Sequence, residues 1–495
     1  MLFNSYEFVF VLLPVSFFVY FYLNKKKIVI ASKIWLVFVS LFFYGWWNIA
    51  YLPLILISIS FNYFISQRMN EFDGAKRQYL SKKTLFQIGL VFNISLLGYF
   101  KYMDFFIQNI NLAVGSEIPL LYLALPLAIS FFTLQQIAYL VDSYEGLVKE
   151  KNFLNYTIFV VFFPQLIAGP IVHHKEMMPQ FSGVRYKVKN YKNIVMGLFI
   201  FSIGLFKKAI IADTLAVWAT NGFDNVETIH FIMAWFVSLS YTFQLYFDFS
   251  GYTDMAMGAA LLFNIRLPQN FNSPYKATGM IDFWKRWHIT LTNFITTYIY
   301  MPIVRSFEKL TFHKAMLTTI VTFLIAGLWH GASWTFVVFG GLNGVGIAAN
   351  HYWKKKTKFK LNRILAWFLT FNFVNITFVF FRAREWDDAI KILNGMSGRS
   401  GFTLPGHLAN IIETKLPFLA QYNIQYDESI HNIGITPFTP FWVLFVIIVV
   451  CYKQNSIELM DSIKINYHTA IYAGFLFAWA ALSLSNVSEF LYFNF

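Results

Sequence analysis

The chain reads as all-α: a polytopic integral membrane helical bundle of about 10–12 spanning helices, with re-entrant and interfacial helices around a central tunnel. Three observations predict this. Of 495 residues, 57% are hydrophobic and only 13% charged, whereas soluble domains carry about 25% charged residues. Apolar runs of roughly 20 residues, long enough to cross a hydrocarbon core, recur along nearly the whole length. The Lys and Arg behind the net charge of +14 fall in short clusters between those runs, which is the pattern of membrane topology. Membrane lipid is therefore the expected surrounding, and nucleic acid is not expected as a partner. Lone Cys451 lies in an apolar run, so no internal disulfide is available.

Taken in order, Phe8 to Leu23 is apolar, has no basic residue before it and is followed by Lys25-Lys26-Lys27. That bias predicts an uncleaved anchor with the N-terminus outside and the lysines in the cytoplasm. Segments 28–50 and 52–66 return the chain to Arg68, Lys76, Arg77, Lys82 and Lys83. Segments 84–100 and 118–141 then bring it to Lys149 and Lys151. Phe153 to Val172 has basic groups on both flanks, the second being Lys175, Arg185, Lys187, Lys189 and Lys192, so it is read as re-entrant. Its Phe163-Pro164-Gln165-Leu166-Ile167-Ala168-Gly169-Pro170 stretch supplies breakers, tolerated at membrane depth only inside protein or along a cavity.

Apolar segments 194–212 and 229–263 precede a polar-aromatic stretch, 264–290. Lys354, Lys355, Lys356, Lys358 and Lys360 mark the cytoplasmic side again. Segments 364–381, 436–452 and 468–485 carry the chain out, in and out, leaving the C-terminus outside. Residues 385–435 form the one sizeable polar insert, expected as an external loop with short helices. Gly340-Gly341-Leu342-Asn343-Gly344-Val345-Gly346 superficially matches a dinucleotide turn. It lies in a membrane helix, where close helix packing is the expected use of glycine.

Chemistry is concentrated at a few positions. Between Lys314 and Lys354 there is no Asp, Glu, Lys or Arg, and the centre of that stretch holds Trp329-His330-Gly331 and Trp334. An ionisable side chain at membrane depth is costly and by default functional, so His330 is the first candidate, as a neutral imidazole able to take a proton. The alternative is a histidine that merely hydrogen-bonds a neighbouring helix. His288 ends Trp284-Lys285-Arg286-Trp287-His288. On a continuous helix Trp284, Trp287, His288 and Leu291 share a face while Lys285 and Arg286 point elsewhere, toward headgroups or an anionic ligand. By itself that pattern favours an interfacial anchor with an incidental histidine. Asp248 and Asp254 end an apolar run, where capping or structural hydrogen bonding is the favoured role over orienting a base. His173 and His174 have no partner spacing for a metal site, and no metal is expected. Two histidines, buried breakers and a basic cytoplasmic face suggest a polar tunnel, and leave enzyme and transporter both open.

Several motifs in order then carry a resemblance. They are Met1-Leu2-Phe3-Asn4-Ser5, Leu41-Phe42-Phe43-Tyr44-Gly45-Trp46-Trp47-Asn48, Leu125-Pro126-Leu127-Ala128-Ile129-Ser130-Phe131-Phe132-Thr133 and Ile167-Ala168-Gly169-Pro170. Phe247-Asp248-Phe249-Ser250-Gly251-Tyr252, Asn270-Phe271-Asn272-Ser273-Pro274-Tyr275, Phe283 to His288, Leu328-Trp329-His330-Gly331 and Tyr492-Phe493-Asn494-Phe495 follow. Together they resemble the membrane-bound O-acyltransferase superfamily, in particular its bacterial branch that O-acetylates alginate and peptidoglycan. The likeness covers residues 1–495 as a single membrane domain. It departs at Gln165, where His is expected, and at Thr253, where Ser is commoner; Gln165 weakens a donor-side role for its turn.

The resemblance implies that His330 is catalytic and His288 the second polar position of the site, reversing the local reading of His288. It implies transfer of acetyl from cytoplasmic acetyl-CoA, with no bound cofactor, toward an exported polysaccharide. His330 is expected as general base, with nucleophilic catalysis as the alternative. His288 is expected to orient the thioester or the acceptor. Trp329, Trp334, Asn272, Asp248 and Tyr252 are expected to line the tunnel, and Lys285 and Arg286 to meet the donor's phosphates. A separate periplasmic or surface partner of SGNH type, with a Ser-His-Asp site, is expected to complete transfer in the envelope of a bacterial inner membrane. D-alanyl transfer from a carrier-protein thioester and proton-coupled transport remain the competing readings.

Overall fold

In hydrocarbon every backbone amide must find its partner within the protein, so apolar runs close into helices. The computed structural model describes residues 1–71, 80–148, 150–167, 169–405, 414–415, 425–427, 434, 438–486 and 491. Within these, six helices are long and apolar enough to cross a membrane alone: Glu7–Lys25, Ile49–Asn70, Lys82–Val114, Tyr191–Asp224, Phe312–His330 and Arg363–Arg382. Thr439–Tyr452 and Ser456–Ser462 meet at 57° and make a seventh if taken together. The other runs read as crossings fold as Val29–Gly45, Ile129–Tyr144, Phe231–Leu262, Trp334–Lys356 and Tyr467–Leu482. Phe231–Leu262 is buried over most of its 32 residues, so its Gln244, Asp248 and Asp254 face protein and it need not be apolar all round.

Local chemistry explains the departures from the expected boundaries. The 118–141 run becomes a helix only from Ile129, because Pro119 and Pro126 interrupt the preceding residues and Ala128 adopts φ 60°. The 153–172 segment is a nine-residue helix, Phe153–Val161, a break at Phe162, and a single turn, Phe163–Leu166, opened by Pro164. Nine residues rise only about 14 Å, too short to cross a bilayer alone, and the segment is buried. Gln165 is 1% exposed and donates through Nε2 to the Phe159 carbonyl at 2.5 Å, holding the broken turn together. Much of the 385–435 insert, the closing Tyr492 to Phe495, and Lys76, Arg77, Lys149 and Ala168 lie outside the described residues. The insert's described part begins with a helix, Trp386–Met396, and includes a parallel pairing of Thr403–Pro405 with Gln425–Asp427.

Glycine does in this bundle what its position predicted. A Cβ at Gly340 would meet the Phe323 carbonyl, and one at Gly344 would sit 2.9 Å from the Ile320 Cα. The Trp334–Lys356 helix therefore lies directly on Phe312–His330, backbone against backbone. Three of the long helices carry π-helical turns, at Glu7–Leu12, Gly98–Tyr102 and Lys207–Ala212. Such turns often mark functional sites, and the second and third each seat a lysine inside the bundle.

Candidate active site

The predicted continuous helix through Trp284 and Leu291 is not formed. Met280–Trp284 ends, and Ile289–Ile295 starts afresh with His288 at its N-cap in the left-handed region, φ 45°. The cause lies in the loop before it. Asn270 accepts from Ile289 N through its carbonyl (2.9 Å) and from Thr290 N and Thr290 Oγ1 through Oδ1 (3.2 and 2.9 Å). One asparagine thus caps the new helix from outside and holds the chain reversed at His288. Trp284 and Trp287 still turn inward as expected: Trp284 Nε1 donates to Asn343 Oδ1 at 3.1 Å, and Trp287 packs on Phe271 and Phe378.

The same Asn270 Oδ1 lies 3.1 Å from His288 Nδ1. A backbone N–H can only donate, so the Thr290 contact fixes that amide atom as oxygen. His288 must then donate from Nδ1, and in a neutral ring Nε2 is left as a lone pair. Nε2 is buried and has no hydrogen-bond partner among the described residues. His288 is 0% exposed, with the Phe249 ring 4.8 Å from its own.

His330 is the last residue of its helix and comes to within 6.4 Å of His288, ring centre to ring centre. Trp329, Phe381 and Phe339 surround it at 4.9, 5.2 and 6.1 Å. Forty-two residues apart in sequence, the two imidazoles share one buried, aromatic-lined setting. Immediately beyond Gly331 a cavity of about 350 Å³ opens, lined by Lys101, Asp104, Ser333, Arg382 and Arg384 among others. It lies at the opposite end of the Trp334–Lys356 helix from Lys354, Lys355 and Lys356.

The end of the His330 helix is held by the π-turn at 98–102. Lys101 Nζ donates to the carbonyls of Trp329 (2.5 Å) and His330 (3.0 Å) and to Ser130 Oγ (3.3 Å), while Tyr102 donates to the Leu328 carbonyl at 2.8 Å. These carbonyls have no partner inside their own helix, and a cation is favoured at a helix C-terminus. Lys101 acts on the chemistry only through the residues it fixes. Lys101→Met is expected to lower kcat about 10-fold with little change in donor KM, which is the cost of a small displacement of a reacting group. Lys101→Arg should recover part of the loss, measured as steady-state turnover in nanodiscs.

The other residues singled out from the sequence lie elsewhere. Trp334 is 59% exposed and donates to Asn109 Oδ1 at 3.0 Å, on the rim rather than inside. Asn272 braces the loop, bonding Arg286 through its backbone and accepting from Asn455 Nδ2 at 3.1 Å. Arg286 pairs with Asp282 at 2.8 Å and reaches the Asn272 carbonyl; Lys285 is exposed. Asp248 pairs with Lys208 at 2.6 Å and accepts from Leu491 N, and Tyr252 stacks on Phe3 at 4.6 Å. On that helix it is Phe249, one position on, that meets His288. His173 and His174 converge on one carboxylate. His174 Nδ1 is 3.1 Å from Asp142 Oδ2, and His173 reaches Asp142 Oδ1 through the Tyr298 hydroxyl.

Asn270, Lys101, Lys207 and Lys208 were not picked out as candidates. The lysines carried a usable signal, being cations inside apolar runs. Asn270 carried none, since its role depends on a contact 18 residues away.

Comparison with known proteins bears on this arrangement. Residues 78–384 match the model of the membrane-bound O-acyltransferase family. A peptidoglycan O-acetyltransferase of Helicobacter pylori is 46% identical, over 100% of this chain and 98% of its own. A probable alginate O-acetylase of Azotobacter vinelandii is 34% identical over 82% of this chain and 79% of its own. A teichoic acid D-alanyltransferase of Bacillus subtilis is 26% identical over 52% of this chain and 69% of its own. The matched span contains both histidines, Asn270 and Lys101.

Proposed function

The chain belongs to the membrane-bound O-acyltransferase family, and on that premise we propose that it carries acetyl from cytoplasmic acetyl-CoA across the membrane for O-acetylation of an exported cell-surface polysaccharide. It is a multi-pass membrane O-acetyltransferase. The observation that carries the finer reading is the buried His288–His330 pair, 6.4 Å apart, beside a cavity at the end of the bundle remote from the Lys354–Lys356 cluster. With lysine clusters on the cytoplasmic side, that cavity opens outward and the thioester arrives from the lysine side. Both termini are then outside, in a bacterial inner membrane.

In this reading His330 removes the proton from an acceptor hydroxyl as it attacks the thioester carbonyl. The tautomer of His288 selects between its two expected tasks. A lone pair at Nε2 does not donate to a thioester oxygen, so His288 orients the acceptor hydroxyl. Lys285, exposed beside the loop, remains for the donor's phosphates, while Arg286 is a brace held by Asp282. A cavity of about 350 Å³ suits a small hydroxyl-bearing group better than a glycan strand. That size supports relay through a separate SGNH-type partner. Similarity along the whole chain to a peptidoglycan O-acetyltransferase favours a peptidoglycan-like final acceptor over alginate, and the shorter, weaker match to a D-alanyltransferase favours acetyl.

The test is turnover of radiolabelled acetyl-CoA by purified protein in nanodiscs, followed as CoA release and labelled acceptor. Turnover is expected without any carrier protein. Turnover only with a D-alanyl carrier thioester would replace the donor. Proton-coupled flux with no acyl labelling would replace the enzyme by a transporter.

A further inference from the structure

Around the histidine pair, buried side-chain atoms without hydrogen-bond partners among the described residues include Trp329 Nε1, Asn270 Nδ2 and His288 Nε2. The first two are N–H donors and the third, by the tautomer derived above, is a lone pair. Their residues are 8%, 1% and 0% exposed, so these atoms are closed off from bulk solvent. A buried donor left unpaired is destabilising. A native fold that keeps two of them beside its reactive pair calls for a specific explanation, and a ligand presenting one acceptor oxygen and one hydroxyl supplies it.

Of the two donors the indole is the one whose ring neighbours both imidazoles. Its ring lies 4.9 Å from that of His330 and 6.4 Å from that of His288. Asn270 is committed through its other amide atom to capping and to His288. The indole is also held: Phe131 packs edge-on at 5.5 Å, and Lys101 fixes the residue's own carbonyl. A fixed donor in a buried aromatic site costs no reorganisation when charge appears in front of it.

We infer that the Trp329 indole N–H is a catalytic donor that receives the thioester carbonyl oxygen as it becomes an oxyanion. The inference rests on the acyl-transfer reading and deepens it. The acceptor oxygen bonds to the carbonyl carbon, its proton passes to His330, and the C=O π pair moves onto the oxygen facing Trp329. Collapse re-forms C=O and breaks C–S, and the leaving thiolate takes the proton from His330. Ester and free thiol result, with nothing oxidised or reduced.

The test replaces Trp329 by β-(3-benzothienyl)alanine, which keeps the bicyclic shape and exchanges N–H for sulfur. With acetyl-CoA as donor, kcat should fall about 10²–10³-fold at unchanged donor KM. The thermal midpoint should hold or rise, because an unsatisfied donor has been removed. Trp329→Phe should lower kcat in the same direction. A kcat equal to wild type in the benzothienyl variant overturns the inference while leaving acyl transfer standing. A lowered midpoint with full turnover per folded molecule assigns Trp329 to packing and also overturns it. Wild-type protein that transfers acyl from no thioester removes the acyl-transfer reading, and this inference with it.

Discussion

His330→Ala is expected to reduce acyl transfer by about 10²–10⁴-fold, the range a positioned general base supplies, in protein that still reaches the membrane and elutes as a single species. The side chain is 4% exposed and packed among Trp329, Phe339 and Phe381, so truncation also leaves a hole in that packing. His330→Gln separates the two effects, since it fills most of the volume and retains hydrogen bonding but is no base at neutral pH. Turnover lost equally in both variants, with wild-type thermal midpoints for Gln, places the loss on proton transfer. Turnover recovered by Gln would make His330 a spacer and remove it from the mechanism. His288→Gln provides the comparison: an acceptor oxygen at the end of its side chain takes over orientation of a hydroxyl, so its loss should be the smaller of the two.

How far the sequence alone could lead depended on the range of each interaction. His330 was legible because its cost is local: one titratable group in a charge-free run between Lys314 and Lys354 needs no knowledge of neighbours. The broken turn around Pro164 and the glycine face at Gly340 and Gly344 were legible for the same reason. His288 was not. Its placement depends on Asn270 capping a helix that does not begin where periodicity suggested, and helical spacing alone turned Trp284, Trp287, His288 and Leu291 into one continuous face. Asp248 and Tyr252 show the opposite failure. Asp248 is one residue and Tyr252 three residues from Phe249, which does touch His288; their motif marks the right helix, but Asp248 turns to Lys208 and Tyr252 to Phe3. A carboxylate inside an apolar run signals a buried partner, and that partner is Lys208 in the helix Tyr191–Asp224, a residue hidden in a segment read only as apolar.

Lys208→Met is accordingly expected to be the most damaging change to the frame. Lys208 is fully buried and holds Asp213 at 2.8 Å and Asp248 at 2.6 Å. Removing the cation strands two carboxylates in the bundle, and breaking a buried pair this way costs about 3–5 kcal/mol, a large share of the 5–15 kcal/mol typical of a folded domain. The π-turn at Lys207–Ala212 that presents the ammonium would lose the contact that holds its geometry. The expected result is a much lower thermal midpoint in detergent, or failure to accumulate, before any effect on turnover can be measured. Adding Asp248→Leu to Lys208→Met should recover part of the midpoint, since the partner charge is then removed and apolar volume replaces it. The adjacent pair, Lys207 with Asp254 at 2.7 Å, is left intact and keeps the helices in register. A Lys208→Met protein with a normal midpoint and no acyl transfer would carry the opposite meaning: the Asp248 carboxylate would then belong to the tunnel and its proton chemistry, and the frame would be held by glycine and aromatic packing alone.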